Sequence, residues 1–142
     1  MEFTQGVRFD SLGLSPEIMR AIAHRNLEVS TPVQAGCIPP MMAWQDVIAK
    51  APTGTGKTFA YGIPIVEHID PEDETVQAVI LAPTRELAIQ ITGELRDIAA
   101  FKPGVRSVCL YGGQPIGKQL FPAGRVPVRT GGEFLRSRGT AL

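Results

Sequence analysis

Apolar positions along this chain recur at helical spacing in some stretches and run continuously in others, and the two patterns alternate. "LGLSPEIMRAIAHRNL" predicts a helix, with Ser15 as its cap, Pro16 at the first helical position and Glu17 at the positive end of the dipole. "STPVQAGCIPP" repeats the device, with Thr31 as cap, Pro32 at the first position and Pro39-Pro40 as the stop. "DVIAKA" reads as a short buried strand, and "TFAYGIPIVEHI" as a helix kinked at Pro64. "TVQAVILAP" reads as a second strand, apolar on both faces as parallel strands tend to be. "TRELAIQITGELRDIAAF" places Leu87, Ile91, Leu95 and Ile98 in one helical stripe, and "VRSVCLY" reads as a third strand ending at Gly112-Gly113. Strands alternating with helices predict an α/β fold: a parallel sheet with right-handed crossovers and flanking helices. Sites in such sheets lie at the carboxyl ends of the strands, where "PTGTGKT", "PTRELA" and "YGGQ" all fall.

Composition narrows the class without naming a function. The 142 residues, 44% hydrophobic and 20% charged, suit one compact globular domain. No apolar run approaches the ~20 residues of a membrane-spanning helix. Met1-Glu2-Phe3-Thr4-Gln5 lacks the basic and apolar regions of a signal peptide. Cys37 and Cys109 stand apart, without the spacing of a zinc site or a disulfide framework, so the expectation is a cytoplasmic protein. The formal charge of zero hides an asymmetry. Residues 1–120 hold 10 Lys and Arg against 13 Asp and Glu, whereas residues 121–142 hold 4 arginines against Glu133 alone. That shift sets a domain, residues 1–120, apart from a Gly/Pro/Arg-rich tail, residues 121–142, expected to be disordered or loosely packed.

"APTGTGKT" carries the chemistry. In Gly54-Thr55-Gly56 the backbone can curl so that successive N–H groups face phosphate oxygens, and the following helix adds its positive end. Thr53 belongs to the same nucleotide-binding loop, Lys57 can reach the β- and γ-phosphates, and the Thr58 hydroxyl can ligate Mg²⁺. Ala51 stands where the general phosphate-loop pattern has its first glycine, a position that mainly shapes the turn. A chance glycine turn is the bland reading; a strand before it and a helix after it favour nucleotide binding.

A phosphate loop alone does not choose among kinases, GTPases and motor ATPases. "APTGTGKT", then "PTRELA", then "YGGQ", with "NLEVSTPVQ" upstream, resembles the DEAD-box family of ATP-dependent RNA helicases. The resemblance covers residues 7–120 and implies an incomplete RecA-like domain of about three core strands. It implies ATP and Mg²⁺ as cofactors, with Gln34 recognising the adenine edge, Phe9 stacking on the base, and Thr31 supporting Gln34 and the phosphate loop. Asn26, Leu27 and Ser30 depart from the family's usual residues in this motif. Pro83, Thr84 and Arg85 would hold the sugar-phosphate backbone of single-stranded or duplex RNA, and Gly112 and Gly113 would let that backbone approach closely. Such contacts read no bases and are salt-sensitive. Taken singly, Thr84 is an ordinary helix cap and Gly112-Gly113 an ordinary turn.

The family's Asp-Glu-Ala-Asp and Ser-Ala-Thr motifs do not occur in the 142 residues. Asp70 ends an apolar run, but that run belongs to the helix leaving the phosphate loop, and "PEDE" follows no strand. Gly124-Arg125-Val126 and Arg138-Gly139-Thr140 are faintly similar to later family segments at the wrong spacing, and a truncated or frame-shifted product is the expectation. Two readings stand. One is the ATP- and RNA-binding portion of an RNA-dependent ATPase; the other is a nucleotide-binding fragment without turnover. His24 and His68 are expected on helix surfaces, and Trp44 is expected to pack before the first strand.

Overall fold

In the computed structural model, residues 5–113 and 128–130 are described. Packing divides the chain into two units, Met1–His68 with Asp97–Pro103 and Ile69–Arg96 with Gly104–Leu142.

The first unit is helical. A 3-10 turn at Phe9–Ser11 precedes α1 (Pro16–His24), α2 (Pro32–Met42) and α3 (Lys57–His68). Ser15 caps α1 by accepting a hydrogen bond from Ile18 N at 3.4 Å, and Ile18, Ala21 and Ile22 turn one face inward. Thr31 caps α2 reciprocally with Gln34. The Pro39-Pro40 stop is corrected: both prolines lie inside α2, which runs on to Met42. Proline's φ suits a helix, and only the bonds of one turn are lost. The carbonyls of Pro39 and Pro40 still accept from Ala43 N, each at 3.1 Å. α3 likewise continues through Pro64 to His68.

α2 and α3 pack side by side and run in the same direction. Gln34, near the start of α2, bonds to Gly56 just before α3; the Met41 carbonyl, near the end of α2, lies 3.1 Å from His68 Nε2 at the end of α3. Val33, Cys37 and Ala60 form the seam, with Met41, Val47 and Ala51 against it. Phe9, Ile18, Ile22, Ile38, Ile63, Val66 and Ile98 are fully buried side chains of this unit.

The far end of α3 is closed by charge. Lys102 Nζ donates to the carbonyls of Val66 (2.8 Å) and Glu67 (2.9 Å), which have no partner further along the helix. The Glu67 carboxylate accepts from Ser15 N at 2.7 Å, tying the start of α1 to the end of α3.

In the second unit, β1 (Ala78–Ile80), β2 (Ser107–Cys109) and β3 (Val128–Thr130) form a parallel sheet in the order β1-β3-β2. Val128 lies beside both Ala78 and Ser107 in register. The middle strand thus comes from the Gly/Pro/Arg-rich tail; the rest of that tail lies outside the described residues. β1 was expected to be apolar and buried on both faces, and here the expectation fails. Ile80 and Ala82 are buried, but Val79 and Leu81 are 61% and 60% exposed. A parallel sheet buries both faces only where a layer covers each.

"DVIAKA" is a second correction. Residues 46–51 pair with no strand among the described residues, and Ile48 is 96% exposed. A strand exists through its ladder to a neighbour, so apolar composition alone does not make one. α4 (Arg85–Ile98) contributes to both units, and its buried positions are Ala88, Ile91, Thr92, Leu95 and Ile98. Leu87, expected in that stripe, is instead among the exposed apolar residues.

Candidate nucleotide and phosphate sites

The nucleotide half of the predicted site lies in the first unit. Segments 7–9 and 28–30 bridge antiparallel through Arg8 and Val29, with Phe9 N donating to Glu28 O at 3.1 Å. Ser30 clamps this bridge: its hydroxyl accepts from Val7 N at 3.0 Å and donates to Val7 O at 2.8 Å. Sequence reasoning treated Ser30 only as a departure from a motif. The clamp was signalled by nothing local, because its partner lies 23 residues away. The bridge fixes Phe9, which is 1% exposed.

Thr31 follows directly. Its hydroxyl accepts from Gln34 N at 3.4 Å, while its own N–H donates to Gln34 Oε1 at 2.9 Å. This capping box satisfies two helix-end donors at once. The other end of the Gln34 carboxamide, Nε2, donates to Gly56 O at 3.1 Å. Gln34 is buried, and each end of its carboxamide is used once, leaving one further donor hydrogen and one further acceptor lone pair.

Gly56 is where the phosphate loop meets α2. Its φ of 77° is in the left-handed region, and a Cβ there would collide with Gln34 Nε2. Its carbonyl accepts from Ala60 N at 3.2 Å, as the first bond of α3, and from Gln34 as well. Gly54, with φ of 80°, faces open space. Within the loop Thr55 Oγ1 donates to Pro52 O at 2.7 Å, and Lys57 Nζ donates to Ala51 O at 2.9 Å. The Lys57 amine therefore sits on the loop's own carbonyl. Thr53 is exposed and Thr58 half-buried at the second position of α3. Two glycines with positive φ, a lysine and a helix start are the chemistry that holds a nucleotide's phosphates. Thr58 presents its hydroxyl chemistry at the same helix start.

Trp44 does not pack before a strand. It lies past the end of α2 with φ of 59°, 78% exposed, its ring stacked on His68 at 3.9 Å and 27°. His68 is correspondingly half-buried, with Nε2 3.1 Å from Met41 O. His24 is on the surface as expected, 6.1 Å from the Phe101 ring.

The predicted RNA-contact residues lie in the second unit. Pro83, Thr84 and Arg85 are exposed at the start of α4. Thr84 caps that helix: its hydroxyl accepts from Leu87 N at 3.2 Å, and its carbonyl accepts from Ala88 N at 3.1 Å. Arg85 donates through Nε and an Nη to Glu86 Oε1, both at 3.3 Å. Glu86 is held below the usual carboxylate range by its own backbone N–H first and by Arg85 second. Gly112 and Gly113 are exposed, and Gly113 has φ of 87°. The position a Cβ would take at Gly113 is 3.8 Å from Arg85 Nη1, so the structure brings this arginine to the double glycine.

Among the described residues no helix is long and apolar enough to cross a membrane.

The family model for DEAD/DEAH box helicases matches residues 31–130, ten residues beyond the composition boundary near 120. The chain is 52% identical over 112 residues to the DEAD-box ATP-dependent RNA helicase CshA of Geobacillus kaustophilus, covering 79% of this chain and 24% of that protein. It is 47% identical over 114 residues to the CshA of Bacillus subtilis, covering 80% of this chain and 23% of that one. It thus spans about a quarter of the length of the curated relatives it matches. Among solved structures, a DEAD box protein from the hyperthermophile Methanococcus jannaschii superposes with a TM-score of 0.85. Identity there is 30%, over 98% of this chain and 39% of the other.

Proposed function

Since this chain belongs to the DEAD/DEAH box helicase family, we propose that it is the ATP- and RNA-binding portion of an ATP-dependent RNA helicase. The observation that carries the reading is the Gln34–Gly56 hydrogen bond, which joins the motif that resembles an adenine reader to the loop built for phosphates. Lys57 would meet the β- and γ-phosphates once it leaves the Ala51 carbonyl, and Thr58 would ligate Mg²⁺. Bound ATP would supply the phosphoryl group whose hydrolysis drives such enzymes. Gln34 would spend its spare donor and acceptor on the adenine edge. Phe9, buried as it is, would reach the base only if the bridge between segments 7–9 and 28–30 opens.

In the second unit, Thr84, Arg85 and Gly113 would hold one RNA phosphate without reading bases. Binding would then weaken steeply with salt.

A second reading concerns turnover by these 142 residues alone, which hold no Asp-Glu-Ala-Asp sequence to order Mg²⁺ and water. In that reading the polypeptide binds ADP and ATP without hydrolysis. Titration of ADP and a phosphate-release assay test both readings, with Lys57→Ala as the common control. Loss of most ADP affinity in a folded Lys57→Ala variant is expected; unchanged affinity sinks the phosphate-loop assignment. Phosphate release at background is expected with or without RNA, and release that Lys57→Ala abolishes would overturn the second reading in favour of the first.

A further inference from the structure

At the start of α4 the cation suited to an RNA phosphate is already engaged by a neighbouring side chain. The Arg85 guanidinium donates twice to Glu86 Oε1 at 3.3 Å, and the pair forms an ion contact at the same distance. Gly113, the predicted point of close backbone approach, lies under the same guanidinium. We propose that the Glu86 carboxylate occupies the seat of an RNA phosphate and that RNA binds by displacing it, so that Glu86 sets how weakly this site holds RNA. The inference rests on the RNA reading of the second unit and adds to it a residue that none of the matched motifs assigns to RNA.

A carboxylate is a fair stand-in for a phosphate. Both are anionic acceptors, and both are favoured at a helix start. The lowered carboxyl of Glu86 agrees, since its own backbone N–H and Arg85 are the groups a phosphate would use there. The pair is open to water, with side chains 54% and 74% exposed, so it is a weak latch. Exposed ion pairs of this kind shift an equilibrium by about two- to fivefold. Glu86 therefore modulates affinity and does not block binding.

The test is a double-mutant cycle on the intact chain, read as fluorescence anisotropy of a short fluorescein-labelled oligouridylate at low salt. Glu86→Gln should tighten binding about two- to fivefold while Arg85 is present. In an Arg85→Gln background the same change should alter affinity little, because the group it competes for is gone. Glu94→Gln removes an equal charge further along α4 and should leave binding near that of the parent. An equal gain with and without Arg85 would show Glu86 acting as a general repulsive field and would overturn the proposal; so would no gain at all. If Arg85→Gln itself leaves binding unchanged, or the parent chain holds no RNA, the RNA reading fails and this inference falls with it.

Discussion

Gln34 Nε2 and Gly56 O lie 3.1 Å apart although 22 residues separate them, and through this bond the cap of one helix supports the start of the next. Gly56 carries two burdens, a positive φ and contact with Gln34; Gly54 carries the first alone. Gly54→Ala should cost about 1–2 kcal/mol from backbone strain. Gly56→Ala should cost more, because the added methyl must also push Gln34 off its acceptor. Urea unfolding of the two variants checks the order, and equal midpoints would show that the Gln34 contact gives way freely.

Gln34→Ala should act on stability and on specificity together. It removes half of the capping box and a buried hydrogen bond, a loss of about 1–3 kcal/mol. If the carboxamide also reads adenine, the difference between ADP and GDP affinity should narrow in the same variant. A parent chain that binds ADP and GDP equally would remove the adenine role and leave Gln34 as a strut.

Trp44 holds a left-handed backbone angle that suits glycine, and gains a stack on His68 in return. The strain costs about 1–2 kcal/mol, whereas an aromatic pair returns about 0.5–1.5 kcal/mol. Trp44→Gly should therefore unfold at an equal or slightly higher urea concentration. A clear loss of stability would mean the stack outweighs the strain.

Burial pushes the Cys37 thiol above its ordinary range, whereas Cys109 is only half-buried. The thiolate is the reactive form, so native Cys37 should resist iodoacetamide at mildly alkaline pH and react freely once the protein is unfolded. Because the raised group favours its protonated state in the fold, its stabilising share is full below the unfolded thiol's range and is lost as pH rises from there through the raised range of the folded thiol. Mass spectrometry of labelled peptides separates the two cysteines; fast native labelling of Cys37 would contradict its place in the α2–α3 seam.

Local chemistry was the legible part of this molecule. Ser15, Pro16, Thr31, Pro32 and Thr84 act within one turn of helix, so their caps could be read from neighbouring letters. The glycines of the phosphate loop were legible for the same reason. What could not be read depends on distant partners. The run at residues 46–51 has the composition of a strand and no strand to pair with among the described residues, and Val79 is exposed on its face of the sheet. The clamp from Ser30 to Val7, the Lys102 closure of α3 and the approach of Arg85 to Gly113 all join segments far apart in sequence.

The unpaired run at residues 46–51 also makes the chain selectively fragile. Lys50 is exposed there with no ladder around it, while the Lys102 amine is drawn onto two carbonyls at the end of α3. Trypsin needs an extended, accessible segment around a basic residue, and the first lysine offers one where the second does not. A nick after Lys50 would leave Gln34 on one peptide and Gly56 on the other. The two pieces would then be held by the α2–α3 seam, by that bond and by the ties of Ser15 to Glu67 and of Met41 and Trp44 to His68, so the stability of the nicked form would weigh how firmly these helices grip each other without a covalent link.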